Sequence, residues 1–268
     1  MFEVDEMMLY RGKDIELTPQ IIVTQPTIDQ IIEFGERRYF SAVQTLTAVG
    51  ADLKWQLWDA GEDYTKIDDY DLFVRLIFRM VSSQKELLEK MPNEERAKLT
   101  EEEKKEYLIN PLQLILKDID FVNFVPMAHV QNKEIVLYDK AQDIMIGRMT
   151  YMRLVDTIRK MHGYKRNNET PANEKTKMDL IEDARDEYAA NLNKPYKSVL
   201  LPLVSTLSVK SGQYGGDGIW NMKINRFFYD IKRIGKVQDA TMLLQGAYSG
   251  FANLKGVDKT RLDIWGDL

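Results

Sequence analysis

The chain has 268 residues, of which 44% are hydrophobic, 10% aromatic and 29% charged, a composition typical of a globular protein with one large domain or two small ones. A mean hydropathy of -0.39 and the lack of an apolar run of roughly 18 residues argue against a membrane-spanning helix, and acidic residues near the N-terminus argue against a signal peptide. The net charge of -5 argues against a nucleic-acid partner. The chain has no Cys and only two His, so catalysis by a thiolate, zinc sites and most Ser-His mechanisms are excluded.

Short apolar runs near the N-terminus predict β-strands at 7–10, 15–17 and 20–24. A polar turn separates the first two runs, and Pro19 and Pro26 are typical of turns or strand edges. A small N-terminal β element is therefore expected.

After Pro26 the pattern becomes helical. Apolar residues recur at spacings of three and four from position 28 to position 46, and Thr27 is a good N-cap for such a helix. Gly35 interrupts the pattern at a cost of about 1 kcal/mol relative to Ala, which predicts either a bend or the close approach of another backbone.

Two more amphipathic helical segments are predicted at 53–58 and 70–81. In the second, Asp71 is placed one turn before Arg75 and is expected to pair with it. The composition then changes, since residues 85–106 carry six basic and eight acidic side chains. This stretch predicts either a solvated pair of short helices or a mobile connector.

A hairpin is predicted in the middle of the chain, with strands at 135–138 and 144–147. A helix at 149–161 follows it. His162 and Gly163, with cationic residues in the preceding turn, form a typical helix stop, in which His162 would interact with the helix dipole.

Residues 164–177 have the composition of a linker or a hinge, because they are polar and basic and contain almost nothing apolar. Beyond them, helices are predicted at 178–192, 196–209, 218–234 and 237–248, with a last turn at 257–265. No internal repeat is evident.

The expected fold class is mainly α with small β elements (α+β): N-terminal short strands, a central β-hairpin and a C-terminal helical bundle. The expected organisation is an N-terminal β-hairpin with helices, a charged connector, a central α/β segment, a linker and a C-terminal helical lobe. The corresponding residues are 1–83, 84–110, 111–163, 164–177 and 178–268.

Three groups of residues suggest chemistry at first sight. The glycine-rich stretch 211–218 lacks the residues of a phosphate-binding loop and is interpreted as a turn between helices. The acidic residues between 62 and 71 lack calcium-loop order and are interpreted as a loop and a helix N-cap. His129 is expected to lie at least half-buried in the core, and neither histidine is assigned a catalytic role.

The aromatic residues of the last fifty positions are the better candidates for a binding surface. On the helix predicted at 218–234, Trp220, Ile224, Phe227 and Ile231 share one face and are expected in the core. Phe228 and Tyr229 lie outside that face, and one or the other is expected to be at least partly accessible beside Ile264 and Trp265. Phe228, Tyr229 and Trp265 form the predicted partner-binding site, and the thirteen Met, mostly expected in the core, could add adaptable surface.

Strings at both ends of the chain carry a family resemblance. LYRGKDIELTPQIIVTQPTIDQIIEFGERRY at 9–39, GIWNMKINRFFYDIKRI at 218–234, LLQGAYSG at 243–250 and the terminal LDIWGDL resemble proteins encoded among the tail genes of long-tailed phages and prophages of Gram-positive bacteria. The resemblance implies a role in virion morphogenesis, most often as a tail assembly chaperone, and implies no catalytic residue, cofactor or metal. Typical chaperones of this kind are shorter, which leaves open either an additional middle module or a different role in morphogenesis.

The function expected from this resemblance is non-enzymatic: binding a tape-measure protein or another tail protein in the host cytoplasm during phage assembly, without nucleic acid or membrane. The alternative is a virion structural component of the tail, baseplate or head-tail junction, and self-association is compatible with either. A carboxylate-only enzyme such as a glycosidase would need two acids about 5 to 9.5 Å apart in a cleft, and the sequence indicates no such pair.

Overall fold

The computed structural model describes residues 4–89, 92, 112–129, 134–211, 216–251 and 253–268. Within them the chain is mainly helical and forms two small antiparallel sheets, one of two strands and one of three. The predicted fold class is therefore confirmed. In this part of the chain no helix is both long enough and apolar enough to cross a bilayer.

The first element is a helix, α1 (Glu6–Tyr10), and the strand predicted at 7–10 is wrong. An apolar run of four residues fits either structure, and here the N-cap decides, because the Asp5 carboxylate accepts hydrogen bonds from two backbone N–H groups of the first turn at 2.8 and 3.1 Å. The other two predicted strands are confirmed as β1 (Ile15–Thr18) and β2 (Ile21–Val23), which pair antiparallel.

The helix predicted after Thr27 is present and bends where expected. Thr27 and Gln30 form a capping box, in which each side chain accepts a hydrogen bond from the other residue's backbone N–H, at 3.2 and 2.9 Å. Gly35, with φ of 101°, separates α2 (Ile28–Phe34) from α3 (Glu36–Thr47). A residue with a Cβ rarely adopts this backbone conformation, so glycine permits the bend.

Helices α4 (Lys54–Asp59) and α5 (Asp69–Glu89) follow the predicted amphipathic segments. Helix α5 runs on beyond position 83, where the sequence predicted the connector 84–110 to begin. Residues 90–111, apart from Pro92, and with them most of that connector, lie outside the described residues.

The central hairpin is confirmed and gains a third strand. Strands β3 (Val125–Ala128), β4 (Ile135–Asp139) and β5 (Ile144–Ile146) form one antiparallel sheet in that order. Leu137 of β4 faces Ile146 of β5 across the sheet, and both side chains are fully buried. This face of the sheet therefore joins the core.

Helix α6 (Arg148–His162) ends as the sequence predicted. Gly163 adopts the left-handed conformation with φ of 64°, and its N–H returns to the last turn of the helix. This is the common glycine-terminated helix end.

Four further helices complete the described chain: α7 (Glu174–Asn191), α8 (Leu200–Ser211), α9 (Gly216–Trp220) and α10 (Ile224–Tyr248). The predicted break between helices near 235–236 is wrong, because α10 is continuous there. The break lies instead at 221–223, where Met222 accepts a hydrogen bond from Ile28 and the Ile224 N–H donates to Pro26, both at 3.0 Å. Tertiary contacts with the start of α2 therefore set this break.

One hydrophobic core draws residues from all three predicted folded segments. It extends from Val4 near the N-terminus through Leu154 of α6 to Phe227 of α10. A second, smaller cluster contains Leu57, Tyr64, Leu72 and Ile181 and attaches α7 to α4 and α5. The segments therefore share one main core, with α7 on a separate satellite.

The segment 164–177 is bonded to the neighbouring helices, although its composition predicted a linker or a hinge. Arg166 donates to the Asp69 carboxylate at 2.8 and 3.1 Å, Asn167 donates to Asp52 at 2.8 Å, and Glu169 pairs with Lys54 at 2.7 Å. Polar residues attach it where apolar ones are lacking, and composition alone does not reveal such partners.

We expect Gly235→Ala to increase the free energy of unfolding by about 0.5 to 1 kcal/mol, because Gly235 lies inside α10 and Ala has the higher helix propensity. Nothing lies within 4 Å of where its Cβ would stand. Urea unfolding monitored by circular dichroism measures the change.

The matched control is Gly163→Ala, which should lower stability by about 1 kcal/mol or more, because its φ is 64° and the new Cβ would lie 2.2 Å from the Lys232 Nζ. A loss of stability in Gly235→Ala comparable to that in the control would show that α10 is not a continuous helix at this position.

Candidate functional site

Phe228 and Tyr229 lie in the second turn of α10, and both side chains are partly exposed, as the helical spacing predicted. The Phe228 ring packs against Phe40 and His162, each with 6.4 Å between ring centroids. The Tyr229 ring meets Tyr10 edge-on at 5.2 Å. Each ring therefore has one side fixed by the core and another that is accessible.

The predicted buried face of this helix is correct for Ile224 and Phe227, which are fully buried, and Ile231 is partly buried. Trp220 was wrongly placed on it. Trp220 belongs to α9, on the other side of the break at 221–223, and 37% of its side chain is exposed.

Phe228 and Tyr229 line a cleft of about 490 Å³, which we call the C-terminal cleft. It lies between α1, the end of α6, the start of α10 and the last residues of the chain. Three lysines and two carboxylate side chains border it: Lys160, Lys165, Lys232, Glu6 and Asp267. The cleft thus combines an aromatic wall with a rim of mixed charge.

Polar contacts between α6 and α10 fix the position of this aromatic wall. The Asn225 side-chain amide donates to the carbonyl groups of Lys160 and Met161 at 3.1 and 3.3 Å, and Lys232 donates to the carbonyl of Gly163 at 2.9 Å. The last carbonyls of a helix have no partners within the helix and carry partial negative charge, so an amide and an ammonium group suit them well.

Trp265 lies on the tail, residues 259–268, which returns along α10. Arg261 binds Asp239 at 3.0 Å, and Arg233 donates to the carbonyl groups of Ile264 and Gly266 at 3.1 and 2.8 Å. The same guanidinium donates to the Tyr229 hydroxyl at 3.2 Å and lies 5.7 Å from the centre of its ring. Arg233 therefore links Tyr229 to the segment that carries Trp265, whose side chain is 87% exposed.

Sequence reasoning missed the exposed residues at the far end of α10. Met242 is 64% exposed, and Tyr248 and Phe251 are 89% and 94% exposed. Periodicity assigned 237–248 to a packed helix, but of the side chains in that span Ala240 alone is buried. The sequence signal for this exposure was the small and polar composition around Gly246 and Gly250, because such residues contribute little apolar surface to a core.

His162, which was expected to interact with the helix dipole, is buried at the end of α6. Its Nδ1 lies 2.8 Å from the carbonyl oxygen of Ile158, which can only accept, so Nδ1 carries the proton. Its Nε2 then accepts from the Tyr39 hydroxyl at 2.8 Å. Burial lowers the pKa of His162 to about 4 and raises the pKa of Tyr39 well above its usual value, so both are neutral at physiological pH.

Four of the five acidic residues of 62–71, all except Asp71, are held in ion pairs. Asp68 caps α5, accepting from two of its backbone N–H groups at 2.9 and 3.1 Å, and also binds Arg148 at 2.6 Å. Asp63 pairs with Lys177 at 3.0 Å. Arg75 pairs with Glu62 at 2.5 Å, so the pairing predicted with Asp71 is wrong. These contacts give the acidic loop a structural role.

The remaining candidates from the sequence, the glycine-rich stretch and His129, give little support for a binding or catalytic site. Residues 212–215 of the glycine-rich stretch lie outside the described residues, and the rest of it closes α8 and begins α9. His129, partly buried, donates its backbone N–H to Glu134. No group of three or more His, Asp or Glu side chains suited to a metal occurs in the described parts of the chain.

The buried His162 predicts a dependence of stability on pH. Its pKa of about 4 in the folded state lies below the value near 6.5 expected when unfolded, so between these values the unfolded chain binds more protons. Stability should therefore fall as the pH falls, by about 2 kcal/mol between pH 7.5 and pH 5 from this residue. Urea unfolding of the wild type and His162→Gln at both pH values measures the difference.

The variant should lose that part of the pH dependence. Should His162→Gln fail to fold, NMR of the wild-type imidazole replaces it, and a ring that titrates near pH 6.5 in the folded protein would contradict the buried neutral form.

Comparison with known proteins assigns no function to the residues described above. No protein family, curated protein or solved structure matches the chain.

Proposed function

We propose that this chain is a non-enzymatic phage morphogenesis protein, a tail assembly chaperone that binds an apolar segment of a tape-measure or other tail protein. The resemblance of its terminal strings to phage tail-region proteins supports the assignment to phage assembly. The exposed aromatic residues at the end of α10, just beyond it and on the tail support the binding role.

The observation that carries the proposal is the exposure of three large aromatic side chains near the C-terminus. Tyr248, Phe251 and Trp265 are each more than four-fifths exposed. A folded protein normally leaves scattered apolar residues at its surface, but aromatic residues exposed to this degree are typical of protein-binding surfaces.

The way the tail is held favours recognition by Trp265. Arg233 fixes the backbone on both sides of this residue, so the indole is displayed from an ordered segment. A side chain presented from a fixed backbone loses less conformational entropy on binding than one on a free chain.

Exposed methionines add adaptable surface. Among the described residues, seven Met are more than a third exposed, although most Met were expected in the core: Met7, Met8, Met127, Met145, Met149, Met152 and Met242. Methionine side chains are flexible and polarisable and fit apolar partners of varied shape. A chaperone for a long apolar protein needs such tolerance.

Trp265→Ala should weaken capture of the tail-protein partner by 1 kcal/mol or more, about fivefold, as expected for an aromatic anchor. Its own stability should change by less than about 0.5 kcal/mol, because the side chain is so exposed. Co-purification and titration with a phage tape-measure protein measure the first effect, and urea unfolding measures the second.

Tyr188→Ala is the matched control, since Tyr188 is also an exposed aromatic residue but lies on α7. It should leave capture unchanged. Tyr229→Ala should weaken capture as well, but with some loss of stability because the ring packs on Tyr10. Equal capture of the partner by wild type and Trp265→Ala would show that Trp265 is not part of the binding surface. A loss of stability in that variant of roughly 3 to 5 kcal/mol, as for truncation of a core side chain, would show the same.

Mass spectrometry of purified virions separates the chaperone from the alternative, a structural component of the tail, baseplate or head-tail junction. A chaperone is released before the particle is complete and should be absent. Stoichiometric presence in the virion would contradict the chaperone role and support the structural one.

A further inference from the structure

A second cleft lies on the other side of residues 164–165 from the C-terminal cleft. Its volume is about 490 Å³, within the range of sites that bind small molecules. One wall is formed by α3 and the turn after it, and the other by α6 and the segment that follows. We call it the Arg159 cleft, because that guanidinium borders it.

One hydrogen bond holds Arg159 in place and leaves most of its N–H groups available as donors. Its Nη2 donates to the backbone carbonyl of Thr47 at 2.6 Å, across from α6 to the end of α3. Within the described residues Arg159 forms no ion pair with a carboxylate. A guanidinium has five N–H donors in a planar fork, so most of them are available to a ligand.

The carboxylates around Arg159 are engaged elsewhere, although one of them, Asp52, itself borders the cleft. Asp156, three residues earlier on α6, pairs with Lys160 at 3.4 Å. Asp69 binds Arg166, and the two oxygens of Asp52 accept from Asn167 and from the backbone N–H of Val49, at 2.8 and 3.0 Å. Burial lowers the pKa of Arg159, while Asp69 and Asp52 oppose that effect only from a distance. The positive charge of Arg159 is thus partly desolvated and lacks a direct counter-ion among the described residues.

Two other donors border the same cleft. Lys165 is exposed and, within the described part of the chain, makes no ion pair, and Tyr164 contributes a phenol. Leu53 and Leu76 supply apolar wall. A cationic fork, an ammonium group and a hydroxyl beside apolar surface are the features that recognise an oxyanion attached to a carbon skeleton.

We propose that the Arg159 cleft binds an organic oxyanion, a phosphate or carboxylate group carried on a larger apolar body, with Arg159 as the principal ligand and Lys165 as the second cation. The two clefts share Tyr164 and Lys165 at their common border, but Arg159 borders only this one. The proposed anion binding does not depend on the chaperone role.

Three probes with the same ring test the proposal on the full chain: phenyl phosphate, benzoate and the neutral benzamide. Titrations by isothermal calorimetry and by amide NMR at constant ionic strength should show saturable binding of at least one anion at millimolar concentration, with shifts at residues 159 and 164–167. Benzamide should bind at least tenfold more weakly. The stronger of the two anions identifies the ligand as a phosphate or a carboxylate.

Arg159→Gln should weaken binding of the anion at least tenfold. Arg159→Lys should weaken it less, because lysine keeps the positive charge but lacks the planar fork of N–H donors. Lys140→Gln, which removes an exposed charge in the β4–β5 turn, is the matched control and should have no effect. Lys165→Gln, a surface change that should not disturb folding, should weaken binding about threefold and replaces Arg159→Gln if the latter unfolds.

Failure of both anions to bind the wild type overturns the proposal, as does equal binding of benzamide. Equal weakening by Lys140→Gln and the cleft variants would show a general charge effect and would also overturn it.

Discussion

The hydrogen bond between Tyr39 and His162 stands at the junction on which the rest of the fold depends. It joins α3 to the last turn of α6, inside the core and at 2.8 Å. Immediately beyond it, α6 ends at Gly163, and α10 supplies the donors that this helix end requires. Three helices distant in sequence therefore meet through polar contacts that must all be satisfied at once, because an unpaired polar group at this depth would cost about 1 to 3 kcal/mol.

The positions of the walls of both clefts depend on this junction. Phe228 packs on the His162 ring on one side of residues 164–165, and Arg159, one turn before His162, reaches Thr47 at the end of α3 on the other. A disturbance at Tyr39 or His162 would move the walls of both. The candidate partner surface at Trp265 is attached more loosely, through Arg233 and the tail, and is less exposed to such changes.

Local patterns predicted much of the fold, and tertiary contacts account for the rest. The Thr27 capping box, the Gly35 bend and the Gly163 helix end carry their own signals in neighbouring residues, so the sequence sufficed there. The break at 221–223 has no such signal, because contacts with Pro26 and Ile28 create it. Helix α1 was misread because four apolar residues suit a strand or a helix equally.

The same distinction holds for the candidate site. Helical spacing correctly separated buried Phe227 from partly exposed Phe228 and Tyr229. It did not reveal Tyr248 and Phe251, whose exposure depends on which segments fail to cover them. Nor could spacing indicate that Arg75 would choose Glu62 over Asp71, or that Arg159 would face a cleft, since each depends on residues far away in the chain.

The attachment of the tail has a consequence for how this surface can diversify. Arg233 binds the main-chain carbonyls of Ile264 and Gly266, and Lys236 binds that of Asp267. Every residue type offers a backbone carbonyl, so this attachment does not depend on which side chain stands at position 265. Substitutions at position 265 can therefore change the exposed side chain while the backbone contacts of the tail stay the same, so this part of the surface can vary in sequence without a change of fold.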